Sequence, residues 1–168
     1  GWFAFTPPRG EVTGGIDMRG WLDAPAGKHG PLGMDGERFV FADGTPVKLW
    51  GVNICDGRPA CTAPTADRWA ARLARYGVNA VRFHKFTRPA PQGIGATSGA
   101  STEMDAAALD RMDYFADALA RDGIYYGWSP IYGHSLRSED RDRVAAYDEI
   151  AAAGGSTRGL VNFAPDLQ

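Results

Sequence analysis

The segment GVNAVRFHKF, residues 77–86, carries an arginine, a histidine and a lysine at the end of a run rich in β-branched and aromatic residues. Basic side chains at a strand tip either pair with an anion or help to build a site. Arg82 presents a planar fork that matches a carboxylate in two hydrogen bonds. His84 is either an ordinary structural hydrogen-bonder or, from its position at the strand tip beside Arg82, part of a site. Alternation along a strand puts Arg82 and His84 on one face and Phe83 and Lys85 on the other. Lys85 is therefore read as solvated or helix-facing. Further chemistry-capable residues follow two other apolar runs. Asn53 and Asp56 come after LWGVNI, and Trp128, Tyr132 and His134 lie in and after IYYGWSP.

Trp128 and Tyr132 have faces that suit the apolar faces of pyranose rings, with core packing as the alternative. Glu103, Asp105, Glu139 and Asp140 stand at expected helix starts, where acidic residues stabilise the helix dipole. They are read as structural. Cys55 and Cys61 sit close together in NICDGRPAC, without the second pair that a metal site would need. Reduced thiols are favoured over a small-loop disulfide. No metal or organic cofactor is implied.

The elements that must position these residues show in the apolar spacing. ADGT, between FVF and PVKLWGVNI, predicts a β-hairpin over residues 38–49. LWGVNI is nearly continuous apolar, which suits a strand buried on both faces. APTADRWAARLARYG reads as a helix with Thr65 as N-cap, Asp67 in the first turn, a Trp69/Leu73/Tyr76 face and Gly77 as the stop. VNAVRFHKF is the next strand, followed by a polar Gly- and Ser-rich loop over about 87–102. STEMDAAALDRMDYFADALARDG is the clearest helix, with Leu109, Met112, Phe115 and Leu119 on one face. IYYGWSP is a third strand, and SEDRDRVAAYDEIAAAGG a further helix with Ser138 as N-cap. Residues 1–37 are rich in turn formers yet hold Trp2, Phe3, Phe5, Ile16, Met18, Trp21 and Leu22. They are read as an extended arm laid over residues 38–168.

Repeated strand–helix units imply parallel strands with right-handed crossovers, near residues 49–54, 80–84 and 124–128. No Gly-rich phosphate turn follows the first strand, which argues against a dinucleotide-binding sheet. The polar residues cluster at the strands' C-terminal ends, as in a (β/α)8 barrel. With 18 Lys+Arg against 20 Asp+Glu, the charge argues against a nucleic-acid partner. No apolar run reaches the roughly 18 residues that cross a bilayer, so no membrane partner is expected. Gly1 is followed at once by Trp2 and Phe3, so no signal peptide is visible; a mature chain reads the same.

The ordered set FVFADGTPVKLWGVNI, YGVNAVRFHKF and LDRMDYFADALARDGIYYGWSP resembles the first three units of clan A glycoside hydrolases, with the cellulase-like family five nearest. The match covers residues 37–130. It implies a TIM barrel, here its N-terminal part preceded by a hairpin and an arm. It also implies hydrolysis of O-glycosidic bonds by two carboxylates from strands four and seven, about 5–5.5 Å apart in retaining enzymes. A full barrel takes roughly 250 residues, so the catalytic pair is expected outside this chain, which alone would be inactive. Arg82 matches the family's strand-two arginine, which supports a catalytic carboxylate; a rim salt bridge is the alternative. His84 would join it, Trp128 and Tyr132 would line the sugar cleft, and Asn53 matches the G-x-N asparagine as a supporting residue. His134 comes later than the histidine the family often carries near the end of strand three.

The implied partners are an oligo- or polysaccharide and the rest of the barrel, from the same gene or a second copy. A secreted or periplasmic location is favoured over a cytoplasmic one. The rival readings are a carbohydrate-binding barrel without chemistry and a half-barrel that self-associates.

Overall fold

The computed structural model describes residues 1–2, 17–129 and 135–155. Strands β1 (Leu32–Asp35) and β2 (Arg38–Phe41) pair antiparallel, and β3 (Gly51–Cys55), β4 (Ala80–His84) and β5 (Tyr125–Ser129) form a parallel sheet in that order. Helix α1 (Ala63–Arg75) joins β3 to β4, and α2 (Ala106–Arg121) joins β4 to β5. The chain is thus a mixed α/β fold with a small parallel sheet, and among the described residues the sheet does not close into a barrel. The expected parallel neighbours are present, with Asn53 beside Arg82 beside Gly127 and Cys55 beside His84 beside Ser129.

The core lies between the sheet and its two helices. Ile54, Val81 and Phe83 from the strands meet Met112, Phe115 and Leu119 from α2. Phe83 is fully buried, with ring centroids 5.7 Å from Phe115 and 5.9 Å from Tyr126. The face of α1 that packs inward is Ala66, Ala70 and Ala74, at i, i+4 spacing. Trp69 stays 40% exposed, contrary to expectation. Alanines let the helix axis approach the sheet closely, and a Trp on that line would hold it away. The N-cap of α1 is Thr62, not Thr65, because Pro64 is tolerated in the first turn and the helix starts before it. Asp67 instead accepts from the Tyr114 hydroxyl at 3.0 Å and from Arg121 on α2 at 3.1 Å. In α2 the N-cap is Asp105, whose carboxylate accepts from Ala108 N at 2.7 Å.

The hairpin differs from the one expected. The Asp43–Gly44 turn is present, with Phe41 N donating to Thr45 O and Val47 N to Phe39 O. Its pairing amounts to one bridge, Val40 to Pro46, since Pro46 has no N–H to extend a ladder. The full ladder is β1–β2, closed by the Gly36–Glu37 turn with Gly36 at φ 57°. Strand β1 therefore falls within the segment read as an arm. The rest of that arm, from Asp17 on, covers the C-terminal ends of the helices: Met18 N donates to Arg75 O, and Ala26 N to Ala120 O. Leu22 packs on the core while Trp21 stays 78% exposed.

The helix expected from Ser138 is broken. Residues Ser138–Asp140 form one 3-10 turn, and only α3 (Tyr147–Ala152) is α-helical. Asp140 is buried, and its carboxylate accepts from Arg137 N at 2.7 Å and Ser101 N at 2.8 Å. That long-range bond fixes the turn, and Ala146 at φ 56° ends any continuous helix.

Candidate functional site

The sheet has two unlike faces. Ile54, Phe83, Tyr126 and Trp128 face the helix side, as their register, the burial of Ile54 and Phe83, and the ring contacts show. Asn53, Arg82 and Gly127 form an exposed row on the other face, bordering an open concavity of about 460 Å³. One step nearer the C-terminal ends lie Cys55, His84 and Ser129, all half-buried. Arg82 Nη2 donates to Ser129 Oγ at 2.8 Å across β4 and β5.

Alternation thus brings Arg82, His84 and Asn53 to one face, as their positions predict. Burial, and then the charges of Arg82 and Lys85, hold His84 below the ordinary imidazole range, with Asp56 opposing. A neutral imidazole beside a fixed guanidinium can accept a proton from, or hydrogen-bond to, a sugar hydroxyl or a carboxylic acid. Trp128 does not share this face. It borders the concavity from β5, but its ring lies 6.3 Å from Tyr126 and 6.1 Å from Phe86 on the helix side, and it is 51% exposed. Its place in the β5 alternation turns its ring to the side opposite the Arg82 guanidinium, although both residues border the concavity. Tyr132 and His134 lie outside the described residues.

Two non-glycine residues take left-handed backbone directly after the strands: Asp56 at φ 59° and Lys85 at φ 62°. Both turn the chain sharply at the C-terminal ends of β3 and β4. Asp56 N donates to His84 O at 3.0 Å, extending the ladder by one bond, and its carboxylate faces Arg88 Nη1 at 3.8 Å. Left-handed non-glycine backbone is uncommon and concentrates where surroundings hold a site in shape. The segment after β4 is a compact loop with a buried centre: Ile94 is 1% exposed, its N donates to Phe86 O, and its O accepts from Asp105 N. Gly57 and Gly93 permit this closeness. A Cβ on Gly57 would stand 2.1 Å from Pro91 O, and one on Gly93 2.3 Å from Phe86 O.

Asn53 stands in the exposed row, and a different asparagine anchors the backbone. Asn79 Oδ1 accepts from Trp50 N at 2.7 Å and Nδ2 donates to Lys48 O at 2.8 Å, while its backbone O accepts from Tyr125 N. Asn79 thereby aligns the N-terminal ends of the three strands. The partners Ser129 and Arg88 were missed. Ser129 carries a signal in retrospect, a hydroxyl at a strand end just before Pro130; Arg88 in a polar loop carries none. Cys55 and Cys61 are free thiols, and burial raises the Cys61 pKa. Among the described residues, no helix is long and apolar enough to cross a membrane and no cluster of three His, Cys, Asp or Glu could hold a metal ion.

No family model, curated protein or solved structure matches this chain.

Proposed function

We propose that this chain is the N-terminal part of a (β/α)8 glycoside hydrolase, contributing the first three strand–helix units and one wall of the cleft. The observation that carries the reading is the in-register polar row on the face away from the helices. Asn53 and Arg82 stand on it, and His84 and Ser129 lie one step toward the strands' C-terminal ends. In a barrel that face turns inward, and those ends form the mouth. The hairpin fits the same frame as a plug beneath the sheet, since Phe41 stacks on Tyr125 at the start of β5, with centroids 5.1 Å apart.

The two carboxylates would come from outside these residues. Asp56 is the acidic residue directly following a strand here, and it is engaged with Arg88. Arg82 would exchange Ser129 for a bidentate bond to an incoming carboxylate, holding it ionised. His84 would hydrogen-bond the sugar bound beside it. The edges β3 and β5 each present backbone groups without a further strand among the described residues, and Val52, Tyr126 and Trp128 are exposed beside them. Such edges and apolar faces call for further strands and helices to cover them.

The test is to purify residues 1–168 alone and record native mass while assaying chromogenic glycosides and polysaccharides. The expected result is no turnover, with the chain seen folded only in an assembly. A folded monomer that hydrolyses a glycoside overturns the reading. A closed homodimer without activity in the complete protein supports the self-associating half-barrel instead.

A further inference from the structure

Beyond the C-terminal ends of β4 and β5 lies a second cavity, of about 230 Å³, lined by Thr87, Arg88, Pro89, Ser101, Ser135, Leu136 and Arg137. We infer that this cavity binds an anionic substituent, a carboxylate or sulfate ester, of a saccharide. The inference rests on the glycosidase reading for the saccharide and on the cavity alone for the anion.

Two arginines and three hydroxyl-bearing residues line a space smaller than the roughly 300–1,000 Å³ typical of a pocket for a whole small ligand. It suits a substituent and part of a ring. Ser101 is 6% exposed, and its Oγ is buried without a hydrogen-bond partner among the described residues. Nearly all buried hydroxyls in folded proteins are paired; a rotation about χ1 would turn this one from its covered position into the cavity that Ser101 lines, where it can donate to a ligand oxygen. Arg137 is fixed by donating to Gly99 O at 3.2 Å and to Ala96 O at 2.5 Å. Both acceptors are neutral carbonyls, so its charge is oriented but not cancelled by them. Arg88 is 41% exposed and meets Asp56 only at 3.8 Å. That separation is too long for a hydrogen bond, and the fork can turn to a closer anion. Of the nearby carboxylates, Glu139 feels the Arg137 charge, and Asp140 has its two oxygens bonded to the backbone N–H groups of Ser101 and Arg137. Those bonds also hold the two sides of the cavity together.

The location links this cavity to the proposed cleft. Arg88 contacts Asp56 at the end of β3, and Thr87 follows His84 by three residues. A sugar seated over Arg82 could place an acidic substituent of a neighbouring ring here. Arginine is suited to that task because its fork matches carboxylate and sulfate oxygens in two bonds.

Isothermal titration of the 168-residue chain, in the assembly in which it purifies, tests this with methyl glucuronoside, glucose 6-sulfate, inorganic sulfate and neutral methyl glucoside. At least one acidic sugar should bind about ten-fold or more tighter than methyl glucoside, a factor equivalent to ~1.4 kcal/mol. Arg88→Gln and Ser101→Ala should each remove most of that preference. Ser101→Ala deletes an unpaired hydroxyl, so its melting temperature should not fall, which separates lost binding from lost folding. Arg137 is unsuitable for the test because it also braces the loop. Absence of any acidic preference, or a preference untouched by both variants, overturns the inference, as does binding of inorganic sulfate alone. Acidic-sugar binding that depends on Arg88, in a complete protein that hydrolyses no glycoside, upholds the site and rejects the glycosidase reading.

Discussion

Arg82 Nη2 donates to Ser129 Oγ at 2.8 Å, tying β4 to β5 on the exposed face of the sheet. A neutral hydroxyl is a modest partner for a guanidinium, which keeps four other N–H donors for whatever faces this wall. On the proposed glycosidase reading, Arg82→Lys in the complete protein should therefore cut turnover about ten-fold or more, since losing the second bond of a charged fork is worth ~1.5–3 kcal/mol. The melting temperature should barely move. Ser129→Ala, which removes only the exposed acceptor, should cost at most about 1 kcal/mol. Stability falling with turnover intact in Arg82→Lys would reduce Arg82 to a strand tie.

Phe83 is the pivot of the core, fully buried between Phe115 and Tyr126. Phe83→Ala should destabilise by ~3–5 kcal/mol through lost burial and the cavity left behind. Denaturant unfolding of the assembled protein measures this. A cost under about 1 kcal/mol would mean that the helix layer does not pack as described.

His29 joins the arm to the hairpin. Its ring bonds Asp43 Oδ2 at 2.5 Å through Nδ1 and Asp23 through Nε2, and Lys28 pairs with Asp23. The bond to Asp43, then that to Asp23, raise the His29 pKa against the opposing effect of burial. Asp43 is lowered to about 2 by the Thr45 N–H and then His29, and Asp23 is lowered by Lys28 and then His29. A raised histidine stabilises fully below its unfolded value near 6.5, and the gain is lost as pH rises through the folded value. Lowered carboxylates stabilise above about 4, and that gain is lost on acidification toward about 2. Thermal melts should show the arm most secure between roughly pH 4 and 6.5. His29→Gln should remove the decline on the alkaline side, and an unchanged decline would assign it to another group.

Gly57 is required for space, because its φ of −77° is open to any residue. Gly57→Ala would drive a Cβ to 2.1 Å from Pro91 O. The expected cost is ~1–3 kcal/mol, as for overpacked positions, with faster proteolysis of residues 86–104. An unaltered digestion pattern would show that the loop yields without loss.

The amino-acid sequence by itself determined the parallel sheet and its order, because strand-length apolar runs separated by amphipathic helices have few chiral solutions. It also determined that Arg82 and His84 share a face, since alternation is a local property of extended backbone. α2 was legible for the same reason: Met112, Phe115 and Leu119 are large apolar residues at helical spacing and are buried. Tertiary structure decided what local pattern could not. Trp69 looked like a core residue, but the approach of α1 to the sheet selected its alanine line. Trp128 borders the concavity, and only its register beside Phe83 shows that its ring turns to the helix side. The helix expected from Ser138 gave way to a bond between Asp140 and Ser101, 39 residues away. The cavity of Arg88, Ser101 and Arg137 gathers residues from a loop without periodicity and from the chain beyond β5. Contacts between such distant segments depend on how the backbone closes, so no spacing in the sequence announces them.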